Sequence, residues 1–279
     1  MRQLIVTADD FGLAPEVNEA VEKAHKDGVL SAASLMIGAS ASKDAVARAK
    51  RMPRLRVGLH LTTVEDSPAS RPLDIPDLVD ASGRLRGDLV MFGVSLIASS
   101  SARRQLRSEI RAQFEAYRAT GLALDHVNAH LHYHLHPTVL GEILAIGVDY
   151  GMRALRVPIE PLEVLRSVEP TKRHPIALLT KPWAAMMRRR VRRAGIASAD
   201  QVFGLAWTGH MTEERIAGLV DNLPQGVTEI YTHPAICADY DGSTQGYDYA
   251  AELDALLSHH VRKAVERSAD KIGGYSDLL

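Results

Sequence analysis

Short apolar segments alternate with helical patterns along the chain, and this alternation limits the fold more than any other feature of the sequence. The first apolar segment, residues 3–7, precedes a helical pattern at residues 15–27, where Pro15 occupies the first helical position and Gly28 follows the last turn. Strands that alternate with helices are typical of βα units, in which neighbouring strands run parallel. We therefore expect an α/β fold.

This pattern continues over the rest of the 279 residues. It predicts strands at 3–7, 34–37, 57–61, 123–128, 154–157, 201–205, 229–232 and 271–274, and helices at 15–27, 44–51, 102–120, 138–150, 213–222, 250–257 and 261–268. Since no linker rich in Pro, Gly or Ser separates these elements, we predict one domain over residues 1–279, with a basic insertion near residues 167–200. The predicted fold is a single distorted (β/α) barrel with about seven parallel strands. The alternative is an open doubly wound sheet, but the first βα turn lacks the glycine-rich phosphate loop of dinucleotide-binding proteins.

Composition narrows the class of partner. Lys and Arg number 33 and Asp and Glu 34, so the net charge of −1 gives no reason to expect a nucleic-acid partner.

Cys237 is the only cysteine, which rules out an intrachain disulfide. The longest nearly uninterrupted apolar stretch, residues 89–98, has about half of the roughly 20 residues that a membrane-spanning helix needs. No signal-peptide pattern opens the chain, so we expect a cytoplasmic protein.

Two adjacent carboxylates, Asp9 and Asp10, follow the first predicted strand directly. Strand ends are where parallel α/β folds gather catalytic groups, and neighbouring residues of a strand point in opposite directions. One carboxylate can therefore bind a metal ion while the other handles protons. The structural alternative is that one or both only cap the following turn.

Histidines follow two later strands. His60 lies between apolar residues at the end of strand 57–61, where a single histidine is more often a core residue than a ligand. Polar and apolar residues alternate over residues 126–136, and a polar face there would bury several imidazoles without partners, which is costly. We therefore take His130 as a metal-ligand candidate and His132 as a substrate-binding candidate.

Two further candidate site residues, His233 and Arg156, lie at or near the ends of predicted strands. His233 closes the apolar segment 229–232 and precedes a proline, which is also the pattern of an ordinary turn. Arg156, in predicted strand 154–157, is a candidate for binding an anion or a sugar hydroxyl. Its alternative role is a salt bridge with Glu160 at the barrel rim.

Four of these motifs occur in an order that resembles the YdjC-like carbohydrate deacetylase family. They are Ala-Asp-Asp-Phe-Gly at 8–12, Gly-Leu-His-Leu-Thr at 58–62, His-x-His-x-His at 130–134 and His-Pro at 233–234. The similarity spans nearly the whole chain. It implies a distorted (β/α) barrel and the metal-dependent hydrolysis of an N-acetyl group on an amino sugar.

The resemblance also implies roles for individual residues. Asp10, His60 and His130 match the metal ligands, Asp9 matches the catalytic base, and His233 matches a proton donor. One divalent ion is expected, and its identity stays open: mixed nitrogen and oxygen ligands suit Zn²⁺, whereas the family is often associated with Mg²⁺.

The substrate is less closely indicated than the reaction. Where the family usually has Asp-Ser before the first histidine of its triple motif, this chain has Asn128 and Ala129, as in a subgroup associated with hopanoid biosynthesis. This similarity implies an N-acetylglucosaminyl hopanoid lipid as the substrate. Soluble chito-oligosaccharides are the main alternative. A metal-dependent isomerase or phosphoesterase and a non-catalytic sugar-binding protein are the remaining ones.

A lipid substrate would favour contact with the inner face of a membrane. Residues 183–193 combine Trp and Met side chains with a block of arginines, and such a segment can rest on an anionic bilayer. The alternative is a solvated charged helix. Peripheral membrane contact and homodimer formation are therefore both open from the sequence.

Overall fold

The computed structural model describes residues 1–170 and 175–278 and contains a parallel β-sheet. Its strands are β1 (Arg2–Phe11), β2 (Ala32–Leu35), β3 (Arg56–Leu61), β4 (Val127–Ala129), β5 (Gln201–Phe203), β6 (Gly226–Thr232) and β7 (Lys271–Ile272). They are ordered β4-β3-β2-β1-β6-β5, and β7 pairs with the start of β1. The sheet therefore has β1 near its centre, where this strand is buried almost throughout.

Helices connect the strands, as parallel pairing requires. They are α1 (Pro15–Asp27), α2 (Ser42–Lys50), α3 (Leu89–Ala98), α4 (Ser100–Ala119), α5 (Pro137–Gly147), α6 (Leu162–Val168), α7 (Pro175–Arg193), α8 (Glu213–Asp221), α9 (Tyr249–Leu257), α10 (His259–Ser268) and α11 (Tyr275–Leu278). The predicted basic insertion near 167–200 lies partly on residues 171–174, outside the described residues, and its described part includes α7.

The two edges of the sheet curl towards each other through an irregular segment. Leu155 forms a parallel bridge with Val127 of β4, and Ala154 forms one with Ala197. Farther on, the Val202 amide of β5 donates a hydrogen bond of 2.8 Å to the carbonyl of Ile159. The expected α/β fold with a distorted (β/α) barrel is confirmed, but the predicted strand 154–157 is reduced to isolated bridges.

Alternation along β1 separates two apolar regions. Leu4 and Val6 belong to the large core between the sheet and the helices, whereas Ile5 belongs to a smaller cluster with Tyr231 and Tyr275. Because side chains alternate between the faces of a strand, Thr7 and Asp9 lie on the same face as Ile5. The inner face of the curled sheet thus becomes polar towards the carboxyl ends of its strands.

Two local features bear on the surroundings of the sheet. The N-cap of α4 is Ser99, whose hydroxyl oxygen accepts a hydrogen bond from the Ala102 amide. The histidine-rich segment leaves the sheet after Ala129 and continues as 3₁₀ turns over His130–Leu135. No helix among the described residues is both long enough and apolar enough to cross a bilayer.

Candidate active site and metal centre

A cavity of about 150 Å³ lies at the carboxyl ends of β1, β3, β4 and β6. The side chains that the sequence singled out and that line it are Asp9, Asp10, His60, His130, His132 and His233, accompanied by Leu131, Leu205, Thr208, Tyr231 and Tyr247. These residues are far apart in the sequence. The shared direction of the parallel strands brings them to one edge of the sheet.

Asp10 reaches this cavity because β1 is irregular there. Its φ angle of 60° lies in the left-handed region, which few residues other than glycine adopt, and the pairing register with β2 shifts between Ala8 and Phe11. The irregularity breaks the strict alternation that would turn Asp10 away from Asp9. Both carboxylates therefore line the same cavity, an outcome that an ideal strand could not produce.

Three potential metal-ligand atoms converge at the cavity. Asp10 Oδ1 is 3.2 Å from His60 Nε2 and 3.2 Å from His130 Nδ1. All the ligand atoms of this group lie within 4.8 Å of one another. Burial alone would raise the pKa of Asp10, but the charges and hydrogen bonds of His130 and His60 hold it well below its usual value. Asp10 therefore carries a negative charge between two imidazoles.

A chain of buried hydrogen bonds determines which nitrogen of His60 faces Asp10. His126 Nδ1 donates a hydrogen bond of 2.9 Å to an oxygen of Asp125, and its Nε2 lies 3.0 Å from the Ser34 hydroxyl. The Ser34 oxygen in turn accepts from Asn128 Nδ2 at 2.8 Å. The amide oxygen of Asn128 in turn accepts a hydrogen bond from His60 Nδ1 at 2.7 Å. This order leaves His60 Nε2 directed towards Asp10 Oδ1, 3.2 Å away.

The donor set suits a divalent cation. His60 Nε2 and His130 Nδ1 both face Asp10 Oδ1, so a cation bound among these atoms would contact one carboxylate oxygen and two imidazole nitrogens. One carboxylate and two imidazoles are common ligands of catalytic metal sites, which keep further positions open. The Asn128 amide oxygen contacts the other ring nitrogen of His60, Nδ1, and such partners commonly orient metal-binding histidines.

Asp9 lies beside this group in a buried ion pair. Arg156 donates hydrogen bonds to both oxygens of Asp9 and to both oxygens of Glu229, and none of the three side chains is more than 3% exposed. Asn128 Nδ2 donates a further bond of 3.1 Å to Asp9. Burial would raise the pKa of Asp9, but the Arg156 charge outweighs it, and the pKa lies well below the ordinary value. Asp9 therefore stays ionised at neutral pH.

The placement of Arg156 corrects both interpretations made from the sequence. Its side chain is fully buried, and its guanidinium is occupied by Asp9 and Glu229, so it is not free to bind a sugar hydroxyl. The alternative salt bridge with Glu160 is wrong as well. The Glu160 carboxylate instead accepts hydrogen bonds from three consecutive amides, at residues 204–206.

The two other candidate histidines line the cavity. His233 lies between the rings of Tyr231 and Tyr247, with centroid distances of 5.7 and 5.4 Å, and its Nδ1 has no hydrogen-bond partner among the described residues. The backbone amide of His233 donates to the buried carboxylate of Glu252. His132 Nε2 lies 2.9 Å from the Tyr231 hydroxyl, and burial holds the pKa of His132 well below its usual value.

A profile of the YdjC-like protein family matches residues 3–267. The chain belongs to the YdjC-like family. Among its relatives, a protein of Brevibacillus brevis named carbohydrate deacetylase is 28% identical, with 99% of each chain covered. Another carbohydrate deacetylase, from Thermoanaerobacter pseudethanolicus, is 25% identical over 96% of this chain and 90% of its own length.

The fold of this YdjC-like protein also agrees with a solved structure. A protein of Enterococcus faecalis, named for cellobiose-phosphate cleavage, superimposes with a TM-score of 0.77 and 24% identity over 99% of this chain and 98% of its own. At this identity the likeness concerns the fold alone.

Several residues that shape the site of this YdjC-like protein belong to none of the sequence motifs. Glu229 is the second carboxylate on Arg156, and its Oε2 also accepts from the Tyr275 hydroxyl at 2.6 Å. Asn128 was noted only as a departure from the family pattern, although it contacts both Asp9 and His60. The polar residue at position 229 inside an apolar strand was the one available signal, since a charge there needs a partner.

Proposed function

We propose that this YdjC-like protein is a metal-dependent carbohydrate N-deacetylase that acts on an N-acetylated amino sugar. The observation that supports this most is the convergence of Asp10, His60 and His130 beside the ionised Asp9. Hydrolysis of an amide requires an activated water and stabilisation of negative charge at the carbonyl oxygen. The curated relatives named carbohydrate deacetylase support the same reaction class.

Asp10, His60 and His130 would hold one divalent ion, Zn²⁺ or Mg²⁺. When bound, such an ion acts as a Lewis acid on a carbonyl oxygen and makes a coordinated water more acidic. The nitrogen ligands favour Zn²⁺ over Mg²⁺, since imidazole suits zinc and magnesium prefers oxygen ligands.

Asp9 is suited to accept the proton of the attacking water. Its Oδ1 accepts hydrogen bonds from Arg156 and Asn128, whereas its Oδ2 accepts only from Arg156 within the described part of the chain. Each carboxylate oxygen can accept two hydrogen bonds, so one position on Oδ2 stays available. Because the pKa of Asp9 is low, this carboxylate is ionised at neutral pH and available as a proton acceptor.

His233 is suited to return a proton to the departing amine. It lines the cavity on the β6 side, across from the strand that carries His60, and two tyrosine rings restrict its orientation. Glu252 fixes the backbone of the same residue through the His233 amide. A proton donor held in this way can meet the amine nitrogen only when the substrate occupies the cavity.

The size of the cavity limits what part of the substrate it encloses. Its volume of about 150 Å³ is below the roughly 300–1,000 Å³ of pockets that surround a whole drug-sized ligand. The acetamido group and the adjacent part of one sugar ring fit such a space, whereas the group attached to the sugar would remain outside. The site is therefore compatible with a bulky attached group.

For the attached group we propose a lipid, as the resemblance to the hopanoid-associated subgroup suggests, with an N-acetylglucosaminyl lipid as the substrate. Peripheral membrane contact through residues 183–193 belongs to the same proposal. Trp183 and Met186 of α7 are 53% and 38% exposed, and the arginines at 189, 192 and 193 of this helix are exposed as well. Soluble chito-oligosaccharides are the alternative substrate.

The Asp9→Asn variant tests the proposed reaction. Glu229 still pairs with Arg156 in this variant, so we expect it to fold and to bind zinc as the wild type does, while acetate release falls at least about a hundredfold because the proton acceptor is lost. Released acetate is measured with N-acetylglucosaminyl lipids and with chito-oligosaccharides, and metal content by elemental analysis. Asp254→Asn on α9 is the matched control and should have normal turnover. Near-normal turnover in Asp9→Asn would exclude Asp9 as the base, and a wild type that releases no acetate from either substrate would refute the deacetylase proposal.

A further inference from the structure

Helix α3 exposes one apolar face. None of its ten residues, Leu89–Ala98, is charged. Its solvent-exposed side chains are Val90 (78%), Met91 (62%), Val94 (52%) and Ile97 (67%), which recur at helical spacing, while Phe92, Gly93 and Leu96 face the protein. An exposed apolar patch of this kind on a soluble fold commonly marks an interaction surface.

This helix packs directly on the histidine-rich segment of the site. The rings of Phe92 and Tyr133 stack with a centroid distance of 5.6 Å, and the Tyr133 hydroxyl donates a hydrogen bond of 2.7 Å to the carbonyl of Leu89. At Gly93, a Cβ atom would lie 3.3 Å from the same hydroxyl, so the contact is close. The segment also carries Leu131, which is 44% exposed and lines the cavity. The packed side of α3 therefore contacts the same 3₁₀ segment that contributes Leu131 to the cavity.

Helix α7 contacts the same segment from another side. Its Arg190 donates a hydrogen bond of 2.7 Å from Nη1 to the carbonyl of Pro137, at the start of α5, and α7 packs on the 3₁₀ turns His130–Leu135. Among the described residues, no ion pair involves the exposed arginines 189, 192 and 193 of α7. The histidine-rich segment is thus contacted by an apolar helix without charges and by a basic helix whose exposed arginines have no ion-pair partner among the described residues.

We propose that the exposed face of α3 enters the surface of an anionic bilayer and is the apolar part of a membrane-docking surface that includes α7. An anionic bilayer matches both helices, because acyl chains cover apolar side chains and lipid phosphates pair with arginines. The inference rests on the proposed membrane contact of α7. It adds a second, apolar attachment that orients the cavity towards the lipid surface, where a lipid-linked sugar would lie.

The test compares two double variants of the full-length protein by co-sedimentation with vesicles. Val94→Ser with Ile97→Ser removes two exposed side chains of α3. Val148→Ser with Ile272→Ser is the matched control, because these residues are also exposed, at 57% and 41%, and lie outside α3 and α7. On vesicles of phosphatidylcholine with phosphatidylglycerol, we expect the α3 variant to partition at least about tenfold more weakly than the wild type and the control to stay within about twofold.

Further measurements separate this inference from the proposals on which it rests. If the α3 variant partitioned onto vesicles as the wild type does, the inference would be wrong. It would also be wrong if light scattering showed that the α3 variant had lost a homodimer while its vesicle binding was unchanged, since a second copy would then cover α3. If neutralising the arginines of α7 abolishes vesicle binding while the α3 variant binds normally, α7 acts alone and the inference is again wrong. The α3 variant should keep its acetate release from chito-oligosaccharides. A wild type that releases acetate from neither chito-oligosaccharides nor N-acetylglucosaminyl lipids would instead refute the proposed reaction.

Discussion

Truncation of Asn128 tests whether its amide prepares His60 for metal binding. Asn128→Ala removes three buried hydrogen bonds, of 2.7 Å with His60, 2.8 Å with Ser34 and 3.1 Å with Asp9. Leaving a buried polar group without its partner costs about 1–3 kcal/mol. Water can enter part of the new space, so we expect the free energy of unfolding to fall by about 2–5 kcal/mol.

The effect on metal affinity is the decisive part of this prediction. Without the Asn128 oxygen, His60 Nδ1 no longer has the acceptor that keeps its proton there, so the ring loses its fixed tautomer and orientation. Loss of such a partner typically lowers metal affinity about 10- to 100-fold. Zinc affinity is measured by competition with a chromophoric chelator, and stability by urea unfolding.

Tyr117→Phe is the control for general destabilisation. The Tyr117 hydroxyl is buried and donates to the carbonyls of Val57 and Ala123, away from the cavity. Its removal should lower the free energy of unfolding by about 1 kcal/mol and leave zinc affinity unchanged. If Asn128→Ala bound zinc as tightly as the wild type, the hydrogen-bond order deduced for His60 would be wrong.

Two further predictions concern the buried charges. Arg156→Met leaves Asp9 and Glu229 as unpaired buried carboxylates, so urea unfolding should show a loss of about 3–5 kcal/mol, and an unchanged midpoint would contradict the burial of this cluster. For Asp125, burial raises the pKa, but the hydrogen bonds from His126 and Ser276 lower it overall from 3.8 to about 2. Because the folded-state pKa is the lower one, this carboxylate stabilises the fold by about 2 kcal/mol above pH 4, and that contribution is lost as the pH falls from about 4 to about 2. The difference in unfolding free energy between wild type and Asp125→Asn should shrink over this range; a constant difference would refute the assignment.

Much of the candidate site was accessible from local sequence patterns. In the sequence, Asp9 and Asp10 come after one apolar segment, and His60 and His130 lie at the ends of two others, so parallel topology alone predicts that they meet at one edge of the sheet. The geometry of Asp10 was not predictable in the same way. Its left-handed backbone at the register shift of β1 turns it into the cavity, and no periodicity reports such an irregularity.

The sequence by itself determined the alternation of strands and helices and the place of most strands, because apolar periodicity depends on neighbours a few residues apart. Tertiary structure decided which charges are paired. Arg156 is 147 residues from Asp9 and 73 from Glu229 along the chain, and their contacts exist only because the curled sheet brings separate strands together. It also decided that one face of α3 is exposed, since exposure depends on what the rest of the fold leaves uncovered.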